Sequence, residues 1–133
     1  MLTHAEAVAL FDRRRTAWLQ EDPGAYLACW AEDMTFVSPL HDPPLVGRAA
    51  YARLVEQSAL HVRPLRFDVR HVAVAGDVVL AEWTITVVAR ESGAPHTWDG
   101  MSRAQYRDGL ITHWREYWNP AELARVAPAA EGG

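Results

Sequence analysis

The sequence predicts an α+β domain in which N-terminal helices pack on a curved, mostly antiparallel sheet. Three observations carry this. Apolar residues recur at helical spacing through three segments of the first sixty residues. Nearly all of the second half reads as strand, broken by Ala75-Gly76-Asp77, Ser92-Gly93-Ala94-Pro95 and Asp108-Gly109, which are turn-forming stretches that favour antiparallel neighbours. Finally, 133 residues, half of them hydrophobic, make one domain that buries roughly two-thirds of its unfolded surface.

The elements follow in order. Thr3 with Glu6 forms a capping box that opens a helix to about Gln20, whose apolar face follows Ala7, Phe11 and Trp18. Arg14 shares that stripe, either as a snorkelling cation whose stem covers apolar surface or as a charge at the mouth of a pocket. Asp22-Pro23 supplies an N-cap and a first-turn proline for a second helix to about Ala31, with Tyr26, Leu27 and Trp30 on one side. A short strand spans 34–38, and Pro39, Pro43 and Pro44 make the next stretch a loop. Gly47 starts a third helix with Tyr51, Leu54 and Val55 on one face. Strands are expected over 67–74, 78–89 and 97–107, then from Leu110 to Trp118. Asn119-Pro120 begins a short terminal helix, the domain closes at residue 126, and 127–133 is a flexible tail.

Composition removes whole classes of function. The net charge is −4, and the thirteen cations are all arginine and scattered, so no basic stripe exists for nucleic acid. Without lysine there is no Schiff base and no phosphate-binding P-loop lysine, and neither GxGxxG nor GxSxG occurs. No apolar run approaches the ~20 residues that span a bilayer, and the N-terminus lacks a signal layout, so no membrane partner and a cytoplasmic location are expected. Cys29, the one cysteine, falls in a helical pattern and reads as a small buried hydrophobe. No His, Asp or Glu pair has metal-site spacing, and neither metal nor cofactor is expected.

Candidate site residues come from strand parity. Alternation puts Thr112, Trp114, Glu116 and Trp118 on one side of the last strand, so a carboxylate sits between two tryptophans. Flanking indoles that strip water from Glu116 would raise its pKa and suit it to proton transfer. On the preceding strand Trp98, Gly100, Ser102, Ala104 and Tyr106 fall together; the small residues in the middle leave volume unfilled and predict a cavity. Trp83 faces it from the neighbouring strand, and Trp18, Tyr26, Trp30 and Tyr51 from the helices. Such a wall suits a flat or polycyclic apolar ligand. His71 shares parity with Phe67 and Val69 and is expected to face inward as a proton-transfer partner.

The run Trp30-Ala31-Glu32-Asp33-Met34-Thr35-Phe36 and the ending Tyr106-Arg107-Asp108-Gly109 through Trp114-Arg115-Glu116-Tyr117-Trp118, in this order, resemble the SnoaL-like branch of the NTF2-like superfamily over about residues 4 to 126. The resemblance implies a cone-shaped α+β barrel around a deep apolar pocket, commonly in a homodimer built on the outer sheet face. Carried over residue by residue, it discriminates among activities. The carboxylate base of ketosteroid isomerases falls at Ser38, their helix tyrosine at Arg14 and their proton-donating aspartic acid near Ser102, so all three are changed. A serine hydroxyl cannot replace a carboxylate base. The water-activating aspartate of limonene-type epoxide hydrolases matches Glu116, but their other charged catalytic residues fall near Trp83 and Ile85, and their water-holding residues at Phe36 and Ser38. SnoaL-type polyketide cyclases also place a catalytic aspartate at about Glu116 and need only an acid/base in an apolar cavity, which fits better. Dehydratases similar to scytalone dehydratase carry a catalytic histidine where this chain has His71.

Two functions stay open from sequence. One is a cofactor-independent acid/base enzyme on an apolar, oxygen-bearing small molecule, with Glu116 moving the proton, His71 or Ser38 orienting the reacting oxygen, and Arg14 nearby. Its ligand wall would comprise Phe36, Leu54, Trp98, Trp114 and Trp118 with the aromatic residues named above. The other is a binding protein in which Glu116 and Arg14 anchor a hydrophobic ligand; a cyclase acting only as a folding template is a variant of the first.

Overall fold

The computed structural model describes residues 1–122. Its elements run α1 (His4–Leu19), α2 (Pro23–Leu27), β1 (Trp30–Ser38), β2 (His41–Val46), α3 (Arg48–His61), β3 (Val62–Ala75), β4 (Val78–Ala89), β5 (Pro95–Arg107) and β6 (Leu110–Tyr117). The six strands form one mixed sheet in the order β2-β1-β6-β5-β4-β3, antiparallel throughout except where β1 runs parallel to β6. Helices cover the concave face, giving the α+β cone expected. The terminal helix begins at Pro120, with Asn119 accepting from the Ala121 amide; residues 123–126 and the 127–133 tail lie outside the described residues.

Local chemistry accounts for most of the boundaries. Both arms of the Thr3–Glu6 capping box are made, and Asp22 accepts from the Ala25 amide ahead of Pro23. Asp108 and Gly109 both adopt positive φ, 53° and 76°, the conformation that a two-residue hairpin turn between right-twisted strands requires. Two boundaries differ from expectation. The second helix stops at Leu27, so Trp30 opens β1 and faces the core from the sheet. The proline-rich stretch expected as a loop pairs with β1 as β2; it lies at the sheet edge, where a missing proline N–H costs no ladder bond.

The core is aromatic. Trp30, Trp83, Trp114, Phe11, Phe67, Met34 and Ile111 are fully buried between the helices and the inner sheet face. Ile111 reaches that face because the β5–β6 register shifts between Gln105 and Tyr106, a bulge that returns it to the same side as Trp114. No helix among the described residues is long and apolar enough to cross a membrane.

Candidate functional site

The Asp108-Gly109 turn fixes the register of the central strands, setting Ser102 opposite Glu116 and Ala104 opposite Trp114. On the other flank of β6, Phe36 partners Trp114 and Val37 partners Arg115, so the next inward pair along these parallel strands is Ser38 and Glu116. The inner face thus brings Ser38, Glu116 and Ser102 to one level of the cone.

Glu116 is half-buried, and both carboxylate oxygens are taken. Trp114 donates Nε1–H to Oε2 at 2.9 Å, and Trp118 donates Nε1–H to Oε1 at 3.1 Å. The i±2 spacing that alternation predicts therefore yields a clamp in which the indoles turn their polar edges to the acid, rather than their apolar faces. Each donor holds one oxygen, so the carboxylate plane is fixed.

Beneath it, Arg14 is only 7% exposed and forms no salt bridge among the described residues. Its guanidinium carbon lies 4.1 Å from the Trp114 ring centroid, 5.3 Å from Phe67, 5.4 Å from Tyr26 and 5.9 Å from Trp30. The side chain does not snorkel; its head is inside, in an aromatic cage where desolvated cation–π contacts are worth about 2 kcal/mol or more. Burial pushes the Arg14 pKa down, but Tyr26, Tyr51, Glu116 and Tyr106 outweigh it and leave it raised, so the cation persists. Arg14 Nη2 donates to the Tyr26 hydroxyl at 3.2 Å, and Tyr26 and Tyr51 hydroxyls lie 2.7 Å apart. Burial, and then Tyr26, hold the Tyr51 pKa well above the ordinary tyrosine value, and burial likewise raises that of Tyr106; both stay hydroxyl donors.

Ser38 is buried and hydrogen-bonded to His41 Nδ1 at 2.7 Å, while its Oγ accepts from the Leu40 amide. His41 is not among the residues the sequence singles out; the signal available was the Ser38-Pro39-Leu40-His41 spacing, which closes a turn and returns the imidazole to the serine. Phe36 joins this corner to the cage, with ring centroids 5.4 Å from His41 and 4.9 Å from Tyr51.

Two expectations are corrected. His71 points away from the interior: the β3–β4 register shifts between Val69 and His71, so Val69 pairs with Trp83 but His71 pairs with Glu82. This bulge at Arg70 reverses the parity, and the exposed imidazole Nδ1 meets Glu82 Oε1 at 2.9 Å on the outer face. The small residues of β5 also have a different cause from an open cavity. Trp83 sits opposite Gly100 and lies over it so closely that a Cβ there would be 2.4 Å from the ring, while its Nε1–H donates to Ser102 Oγ at 3.0 Å. Gly100 and Ser102 are small because Trp83 occupies the space above them.

The remaining predicted residues divide. Tyr26 and Trp30 belong to the Arg14 cage, Phe36 and Tyr51 pack against those two rings, and Leu54 packs against the same core. Trp98 and Trp118 are half-buried with ring centroids 6.4 Å apart, on the far side of Glu116 from the cage. Trp18 packs edge-on against Phe67 at 5.9 Å and supports the first helix. No group of three or more His, Cys, Asp or Glu among the described residues is arranged around a common metal position.

Comparison with known proteins places this arrangement. The SnoaL-like domain pattern matches residues 11–114. A provisionally named isomerase from Bacillus subtilis superposes with a TM-score of 0.83 at 24% identity, covering 100% of this chain and 98% of the other. An LEH-like epoxide hydrolase from M. tuberculosis gives 0.78 at 19% identity over 96% and 97%. A provisionally named polyketide cyclase from Xanthomonas campestris gives 0.74 at 26% identity over 90% and 94%. No curated protein matches the chain significantly in sequence. The isomerase and hydrolase, at these identities, establish a shared fold alone.

Proposed function

The chain belongs to the SnoaL-like family, and from its inner face we propose a cofactor-independent acid/base enzyme of cyclase, isomerase or hydrolase type that acts on an apolar, oxygen-bearing small molecule of polycyclic or polyketide-like character. The observation that carries this is Glu116: an acceptor-only carboxylate, half-buried on the concave face, with each oxygen steadied by one indole N–H. The names borne by similar structures, a cyclase, an isomerase and an epoxide hydrolase, fit chemistry that needs one positioned acid/base.

In the cyclase or isomerase form, Glu116 takes a proton from a carbon beside a carbonyl, and the electron pair moves to the carbonyl oxygen as an enolate. The enolate carbon then attacks a second carbonyl, or is reprotonated elsewhere, and Glu116 returns the proton. In the hydrolase form it takes a proton from water as the water oxygen bonds to an epoxide carbon, the ring C–O bond breaks, and Glu116 returns the proton to the released oxygen. Ser38, oriented by His41, offers a hydroxyl at the same level of the sheet for a reacting oxygen. His71 has no part, because it faces outward. The half-buried Trp98 and Trp118 with Phe36 offer apolar contact for the ring system.

The same clamp also suits a non-catalytic binding protein, since two fixed donors make Glu116 a rigid polar anchor. Homodimerisation through the outer sheet belongs to the proposal as well: Met101 and Tyr117 are opposed on β5 and β6 and are 47% and 53% exposed. Val88 on β4 is buried and adds nothing to that patch. A native mass-spectrometry screen identifies the ligand, and turnover of Glu116→Gln then separates the two functions. The enzyme loses roughly 10²–10⁴ in turnover, whereas in a binding protein no turnover exists to lose.

A further inference from the structure

The Arg14 cage holds more hydrogen-bond donors than acceptors. Arg14 donates to Tyr26, and Tyr26 and Tyr51 share one contact. Whichever of the two hydroxyls donates in that contact, the other is left with a hydrogen that has no acceptor among the described residues, because a run of one N–H and two O–H groups contains three hydrogens and only two contacts. Arg14 Nε and Trp30 Nε1 are also fully buried and lack a partner among the described residues. All of this surrounds a buried guanidinium with no salt bridge among the described residues.

Buried donors without acceptors destabilise the fold, and a buried charge without full compensation does so more. An aromatic cage satisfies a cation in part but accepts few of its hydrogens. Glu116 contributes opposite charge but no hydrogen bond to the guanidinium: its donors are Trp114 and Trp118, and it makes no salt bridge with Arg14 among the described residues. Tyr51, at the end of the chain, contacts Phe36, which contacts His41. The surplus donors thus lie next to the Ser38–His41 corner.

We infer that the ligand of this site carries an anionic oxygen, a carboxylate or an acidic enol or phenol oxygen, and that Arg14 and the Tyr26–Tyr51 pair supply its counter-charge and donors. This rests on the reading of the inner face as a ligand site and adds the charge class of the molecule. It also assigns Arg14 a binding role: on the enzyme reading, the donor set that holds an acidic ground-state oxygen would equally stabilise an enolate oxygen formed by proton loss to Glu116.

The test compares two probes of nearly equal shape, 2-naphthoate and 2-naphthamide, by titration calorimetry against the full chain at neutral pH. The naphthoate is expected to bind at least tenfold more tightly, Arg14→Met to abolish that preference while leaving amide affinity within twofold, and Arg14→Lys to retain part of it. Equal affinities for the wild-type protein would overturn the anionic-ligand inference and leave the apolar site standing. No binding of either probe would overturn both. A preference that persists undiminished in Arg14→Met would overturn the assignment to Arg14. If Arg14→Met fails to fold, the wild-type comparison and Arg14→Lys decide: a lysine variant whose preference is reduced from wild type supports the guanidinium, and one indistinguishable from wild type overturns it.

Discussion

The Arg14 guanidinium carbon lies 4.1 Å from the centroid of the Trp114 ring, and the same indole donates its Nε1–H to Glu116 at 2.9 Å. One aromatic residue therefore stands between a buried cation and the candidate acid. A cation over the ring face withdraws electron density and makes the N–H a better donor, so the two contacts strengthen each other.

Variants of Trp114 separate those contacts. Trp114→Phe keeps a ring for Arg14 but removes the donor and part of the buried indole; hydrogen bonds to charged groups contribute roughly 1.5–3 kcal/mol, and a loss of at least that size is expected in urea unfolding. Trp114→Leu also removes the ring beneath the cation and should cost more, about 3–5 kcal/mol, as when a buried charge loses its partner. Equal losses for the two variants would show that the ring face contributes nothing.

Gly100 is expected to resist even a methyl group. The Cβ of Gly100→Ala would meet the Trp83 ring at 2.4 Å, and overpacking of this kind typically costs about 1–3 kcal/mol. Pairing it with Trp83→Leu should recover part of the loss, giving a positive coupling in a double-mutant cycle. Strictly additive effects would contradict the contact.

The first helix, the starts of the second and third, the β4 limits, the Asp-Gly hairpin and the inward parity of Trp114, Glu116 and Trp118 were legible in the sequence, because each depends on near-neighbour spacing or capping chemistry. What was not legible depends on single-residue insertions and on partners distant along the chain. One bulge at Arg70 turns His71 outward, and no local signal marks it. The small residues of β5 read equally as a void or as room for a large neighbour, and only the β4–β5 register, which puts Trp83 opposite Gly100, decides for the neighbour. Arg14 on an apolar stripe was visible as unusual, but its cage draws on α1, α2, β1, β3 and β6 together.

On the outer face, His113 predicts a stability change with pH. Burial, followed by the Arg103 and Arg115 charges, holds its pKa below the ordinary histidine value of about 6.5. The unfolded chain then binds a proton near that pH that the folded chain does not, so stability falls as pH drops below about 6.5 and levels off once the folded imidazole is itself protonated. Thermal unfolding between pH 7.5 and 5 should show this slope, and His113→Gln should flatten it. An unchanged slope in the variant would assign the effect elsewhere.

The Met101–Tyr117 patch predicts association. Sedimentation velocity should show a dimer at micromolar concentration, and Met101→Glu should shift it toward monomer by placing a charge on the apolar contact. A wild-type protein that sediments only at 14.9 kDa at high micromolar concentration would exclude the outer-sheet interface.

Proton carriage by Glu116 is tested most directly by deuterium wash-in. Once a ligand with an acidic carbon is identified, the protein is incubated with it in heavy water and the label at that carbon is followed by mass spectrometry. The wild-type protein should exchange it, and Glu116→Gln, which keeps the shape and one acceptor but cannot exchange a proton, should bind the ligand within a few-fold yet exchange roughly 10²–10⁴ more slowly, or about 2.7–5.4 kcal/mol in barrier. Exchange at an undiminished rate in Glu116→Gln would contradict the assignment.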